Sequence, residues 1–272
     1  MTTISAGTFC LNPLELDYPI IEIIHNMLNF ATQVIVVDAG STDGTVEKLK
    51  KIDARVEVYY SPWPRKFKRW SPTNQTEAVQ RNKVLEKCKG DWVFFFDADE
   101  IIHENYHSII KQYVCDVRYD MYDIPMIHLY RCKRDNKIEI CRKVLGHTGI
   151  KSRPMLYRNH KGLYYGQLRR SSPCMHEELI GEGKSRNRAK RILQVYSPTE
   201  DEINVLHYGQ CRWGKCVAKS LNLWGARYTQ QDVFNKFDET KDLLPDLGYP
   251  LFLDSHPQSI EGWIVDHTKE RL

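Results

Sequence analysis

The chain has 272 residues, 42% of them hydrophobic and 27% charged, which excludes a disordered or fibrous protein and allows a sizeable core. Its net charge of +4 is a mild basic bias that suits an anionic ligand without marking a nucleic-acid partner. No stretch reaches the length of a membrane span, and "MTTISAGTFCLN" lacks the basic-then-apolar order of a secretory signal. With eight cysteines and no Cys-x-x-Cys pair, the expectation is a cytoplasmic protein with reduced thiols.

The first hundred residues alternate strand and helix signals. "TISAGTFC" (3–10) reads as a short strand. "YPIIEIIHNMLNFA" (18–31) reads as a helix, with Ile20, Ile21, Ile24, Met27 and Leu28 at helical spacing. "QVIVVD" (33–38) is the continuous β-branched run of a strand buried on both faces. The turn "AGSTDGT" leads into a helix with Asp43 as N-cap, and "RVEVYY" (55–60) alternates as a strand. "SPWPRKFKRWSPTN" (61–74) is a loop in which basic residues interleave with aromatics. "QTEAVQRNKVLEKCKG" (75–90) is an amphipathic helix closed by Gly90, and "DWVFFFD" (91–97) is a fourth strand. Repeated β-α-β units predict a parallel sheet, and ligands of such sheets sit at the carboxyl ends of the strands. Asp38 and Asp97 both fall at such ends, which places them in one site.

The second half is less regular. "MYDIPMIHLYR" (121–131) and "RPMLYRNHKGLYYG" (153–166) read as longer strands, "GEGKSRNRAKR" (181–191) as a basic loop, and "INVLHYG" (203–209) as a strand ending in His207. "RWGKCVAKSLNLWGARYTQ" (212–230) looks helical. His207, Cys211 and Cys216 form a loose cluster whose spacing fits no common zinc pattern. No repeat, low-complexity segment or linker interrupts the chain, so 1–272 is expected to be one compact α/β domain.

The acidic stretch "WVFFFDADE" (92–100) carries the chemistry. Three readings stand for Asp97-Ala98-Asp99. It can be a solvated turn that caps a helix, a phosphatase nucleophile pair, or a divalent metal site. The phosphatase reading is disfavoured because that pair follows a first strand, with Thr or Val after it. The metal reading rests on two hard oxygen donors at a strand end, which Mg²⁺ or Mn²⁺ accepts while water and phosphate oxygens complete its octahedron.

"VIVVDAGSTDGT", then "QRN" on a helix, then "GDWVFFFDADE", resembles the nucleotide-binding half of family 2 glycosyltransferases with the GT-A fold. "CMHEEL", "LHYGQCRWGKCVAKS" and "DSHP" resemble later pieces of one branch of that family. The resemblance is strong from residue 4 to about 105 and weak from 174 to 256. It implies a Rossmann-like nucleotide-sugar-binding half (1–105), and an acceptor-binding half with C-terminal helices (106–272). It further implies inverting, metal-dependent transfer of one sugar from a nucleoside-diphosphate sugar, a UDP-sugar first, to a hydroxyl acceptor.

Carried over by position, the resemblance assigns Thr8, Asn12, Asp38 and Arg81 to the nucleotide sugar. Asp97 goes to the ribose or the metal, and Asp99 directly to Mn²⁺ or Mg²⁺. His207 is a further metal ligand or a hydrogen-bonded strand histidine. Arg81 is alternatively a surface residue of its helix, and Asp38 a loop aspartate closing an Asx turn. "CMHEEL" offers Glu177 and Glu178 as the base, Glu177 first, with His176 orienting it; the alternative is a pair complementing a helix dipole. The Gln-x-x-Arg-Trp motif of processive synthases is absent, although Arg212-Trp213 echoes it, so single transfer is expected. The acceptor stays open among a glycan, a lipid-linked sugar and nucleic acid, such as a hydroxymethylated base in DNA. A sugar-nucleotide-binding module without turnover and a nucleotidyltransferase are the rival classes. The last needs a glycine-rich basic loop that "GTFCLNPLELD" lacks.

Overall fold

The computed structural model describes residues 2–62, 75–134, 137–142, 152–159, 163–166, 178–180, 194–212, 216 and 249–269. Strands β1 (Ile4–Cys10), β2 (Gln33–Asp38), β3 (Val56–Tyr60) and β4 (Trp92–Phe95) lie side by side in the order β3-β2-β1-β4, all parallel. Every residue of β1, β2 and β4 is buried, because helices cover both faces of a parallel sheet. Side chains alternate between those faces. Val34, Val36, Phe94 and Phe96 join one apolar cluster with Ile20, Ile23, Ile24 and Met27 of α1 (Ile20–Met27). Ile35, Val37, Val93 and Phe95 join the other, with Val84 of α3 (Gln75–Lys87).

α1 is shorter than its 18–31 pattern. Pro19 stands at its N-cap, and the chain turns after Met27, whose carbonyl accepts from both Phe30 and Ala31 before β2 starts. The helix after β2, α2 (Thr45–Leu49), starts behind Asp43, whose carboxylate accepts from the Thr45 amide at 3.1 Å.

The acidic stretch forms no helix cap. β4 ends at Phe95, a turn occupies 96–99, and Glu100 opens β5 (Glu100–Ile102). Beyond lie α4 (His107–Tyr113), β6 (Met121–Arg134), β7 (Lys137–Arg142), β8 (Ser152–Arg158), β9 (Tyr164–Gly166), β10 (Glu178–Ile180), β11 (Val195–Tyr196), β12 (Val205–Gln210) and α5 (Glu261–Thr268). The single strand read over 153–166 is two, β8 and β9. The strand around His207 continues to Gln210, so His207 lies within it and not at its end.

The main sheet continues β4-β8-β6-β12-β5, with β8 antiparallel to β4 and β6, β12 parallel to β6, and β5 antiparallel to β12. This order has a geometric consequence. Phe95 and Glu100 are five residues apart, a reach of about 17 Å. Four strand spacings of about 4.8 Å come to about 19 Å in a flat sheet. These strands therefore curl, and the acidic turn joins the two ends of the curl. Residues on β6, β8 and β12 are gathered beneath it.

The C-terminal segment packs along β7, where the Arg142 amide donates to the Pro250 carbonyl at 2.9 Å. α5 is pinned to the loop after β1 by His267 Nε2 and Asp17 Oδ2, 2.7 Å apart. Among the described residues no helix is long and apolar enough to cross a membrane.

Candidate active site

Two loops at the carboxyl edge of the parallel strands are stitched together. Asn12, in the left-handed region at φ 47°, donates its amide to Ser41 Oγ at 2.8 Å, and its side-chain oxygen accepts from the Thr42 amide at 2.8 Å. Asp38 is buried, and its carboxylate accepts from the amides of Gly40 (3.0 Å) and Ser41 (3.0 Å), the Asx-turn arrangement. Thr8 is fully buried in β1 with its hydroxyl on the Phe9 carbonyl, so it has no surface to offer a ligand. β2 and β4 flank β1, so Asp38 and Asp97 stand on either side of its end.

Asp97 faces two guanidinium groups. Arg81, on α3, donates to it at 3.0 Å, and Arg153, on β8, at 2.7 Å. Arg153 also donates to Glu100, which in turn accepts from the Asp97 amide at 2.8 Å. Burial alone would raise the Asp97 carboxyl, but Arg153 and Arg81 outweigh it and hold the group well below the usual carboxylate range. Glu100 is pushed the other way. It is almost fully buried, Arg153 offsets only part of that cost, and the charges of Asp97 and Asp99 add to the upward shift. Arg81 is not a free surface residue. Its guanidinium lies 4.5 Å over the Phe95 ring and 5.5 Å from those of Phe9 and Tyr165. The rest of "QRN" supports it. Gln80 donates to the Ser61 carbonyl at 2.8 Å, and Asn82 exchanges hydrogen bonds with the Tyr165 backbone.

Asp99 points away from this pair. Its Oδ2 lies 3.5 Å from His207 Nε2, and its carbonyl accepts from the Tyr208 amide at 2.8 Å. The ladder between β12 and β6 shifts register between His207 and Gln210, and Gly209 sits in that irregularity. A Cβ on Gly209 would lie 2.6 Å from Asp99 Oδ2 and 2.8 Å from His207 Cε1, so only glycine permits this approach.

Among the described residues, no three His, Cys, Asp or Glu side chains are set together to hold a metal ion. The loose cluster of His207, Cys211 and Cys216 is therefore no zinc site here. Cys211 and Cys216 are buried thiols, the latter on the Glu15 carbonyl, and the Cys211 thiol is raised chiefly by burial. Arg212 is buried too, donating to the Leu16 and Gly209 carbonyls, so its echo of a synthase motif is a packing contact. His176 and Glu177 lie outside the described residues, as do most of the two basic loops and most of the 212–230 pattern. Glu178 opens β10. Sequence reasoning missed Arg153 and left Glu100 without a role.

The α/β sheet is ordered β3-β2-β1-β4 and carries paired acidic residues at its carboxyl edge, the edge at which ligands of such sheets bind. Residues 19–139 match the model described as "Glycosyl transferase family 2". An uncharacterized glycosyltransferase of Haemophilus influenzae is 37% identical over 73 residues, 26% of this chain and 25% of that protein. The SPbeta prophage-derived glycosyltransferase SunS of Bacillus subtilis is 27% identical over 159 residues, 56% of this chain and 32% of that one. The chain thus spans about a third or less of these relatives. The crystal structure of S. aureus TarS 1–349 aligns with a TM-score of 0.47 at 15% identity, over 88% of this chain and 68% of that one.

Proposed function

We propose that the protein transfers one sugar from a nucleoside-diphosphate sugar, a UDP-sugar first, to a hydroxyl acceptor, with inversion and with a bound divalent ion. The observation that carries this reading is the pairing of Asp99 Oδ2 with His207 Nε2 at the carboxyl edge of a family 2 sheet. Asp99 and His207 would hold the ion, a carboxylate oxygen and an imidazole nitrogen being donors that Mn²⁺ or Mg²⁺ accepts. When bound there, the ion would supply positive charge to the leaving diphosphate.

The chain's own residues do the rest. Asp97, already held by two guanidinium groups, lines the donor and leaves Asp99 and His207 to hold the ion. Arg81 and Arg153 present a fixed positive face beside the diphosphate, pre-organised by Phe95 and Glu100. Asn12 and Asp38 shape the loops that receive the nucleoside. Glu177, oriented by His176, takes the acceptor proton while the sugar carbon is attacked from the opposite face; Glu178 is the alternative base. We also take 1–105 as the donor half and 106–272 as the acceptor half of one domain.

A thermal-shift screen of nucleoside diphosphates with and without Mn²⁺ identifies the nucleoside and the metal together, because a ligand of the folded state raises Tm by mass action. Asp99→Asn is expected to abolish donor hydrolysis and Mn²⁺-dependent stabilisation while the metal-free Tm stays close to the parent's. Full activity of that variant in excess chelator would overturn the reading.

A further inference from the structure

We infer that His128 is a positioning residue for His207, an inference that rests on the metal reading above. The register of β6 and β12 sets the two histidines directly opposite each other, with Nδ1 atoms 3.2 Å apart and ring centroids 4.7 Å apart. Two neutral imidazoles meeting through Nδ1 share one proton, so one nitrogen donates and the other accepts. His207 Nε2 is the nitrogen that faces Asp99. For that nitrogen to offer a lone pair to a cation, the His207 proton must sit on Nδ1, and His128 Nδ1 is the atom placed to accept it. An acceptor here therefore fixes both the tautomer and the ring plane of His207.

The surroundings restrict the pair to this role. His207 lies between Glu100 on β5 and His128 on β6 in the ladder, and Gly209, two residues on, has no Cβ to intrude between its ring and Asp99. Its Nδ1 edge meets His128 and its Nε2 edge meets Asp99.

The test uses the full chain and Mn²⁺ as probe, alone and with UDP, titrated by electron paramagnetic resonance of the free ion. His128→Leu removes the acceptor and is expected to weaken Mn²⁺ binding about tenfold or more, the usual effect of removing a ligand's outer hydrogen-bond partner. His128→Asn places an amide oxygen where Nδ1 stood and is expected to restore affinity to within about threefold of the parent. Should His128→Leu fail to fold, His128→Phe, which keeps a ring and drops both nitrogens, takes its place. A role in packing alone would lower Tm without separating the asparagine from the apolar variants. Parent-like Mn²⁺ affinity in the leucine or phenylalanine variant overturns the inference while Asp99→Asn still tests the metal site. Equal losses in the asparagine and apolar variants also overturn it. No Mn²⁺ binding by the parent chain overturns the inference and the metal reading together.

Discussion

Arg153 is the side chain on which the acidic turn depends. Three carboxylates within four residues would repel one another, and a single guanidinium reaches two of them, the buried Glu100 and the half-buried Asp97. Only a planar fork makes both contacts at once; a lysine at this position serves one carboxylate. Removing one partner of a buried pair leaves an uncompensated charge. Arg153→Met is therefore expected to cost about 3 kcal/mol of stability in urea melts, and Arg153→Met with Glu100→Gln to recover part of that loss. A single-variant change within about 0.5 kcal/mol, the range of an ordinary surface substitution, would show that the turn does not rely on this cation.

At the scale of elements, α3 delivers Arg81, and what sets its height over the sheet is a glycine. A Cβ on Gly7 of β1 would lie 2.3 Å from Val84 Cγ1, so the helix packs closely only because residue 7 has no side chain. Gly7→Ala is expected to destabilise by about 1–3 kcal/mol through overpacking. It should also lower turnover further than the stability loss explains, as Arg81 is levered away from Asp97. Turnover per folded molecule equal to the parent's would sever that link. The same elements mark how far the sequence could be read. The β1-α1-β2-α2-β3 run was legible because doubly buried strands are continuous apolar runs and α1 buries residues at i, i+3, i+4 and i+7. The placing of Asp38, Asp97 and Asp99 at one edge followed from that topology alone. Arg153 and His128 were not legible. Alternation along β6 and β8 says which face a residue takes, but only the order β4-β8-β6-β12-β5 says whom it meets. The Asx turn of Asp38 was an open alternative in sequence, and the rings around Arg81 were not legible, because each depends on a loop or ring brought from elsewhere.

Across the whole molecule, the described C-terminal segment is fastened to the strand that carries His207, and the fastening is acid-sensitive. His256 Nδ1 and the Tyr208 hydroxyl are hydrogen-bonded at 2.6 Å, and the ring packs against those of Phe252 and Tyr208. Burial, with the nearby His103 in support, lowers its pKa from 6.5 to about 4. His103 is tied to the same segment through Ser255 Oγ at 2.9 Å, and Glu104 accepts from the Gln258 and Ser259 amides. A histidine held neutral in the fold contributes stability that is fully present above its unfolded value, near 6.5. That stability is lost as pH falls toward the folded value, because the unfolded chain then binds the proton more readily. The urea midpoint is expected to fall between about pH 6.5 and pH 4. Cleavage within 249–269 under limited proteolysis should rise over the same window, as the segment lifts from β12. His256→Asn keeps an acceptor for Tyr208 without a titrating ring, so it should flatten the slope in that window. The carboxylates that also titrate there are common to both proteins, so the difference between the two slopes isolates His256. Identical slopes would place the acid sensitivity elsewhere.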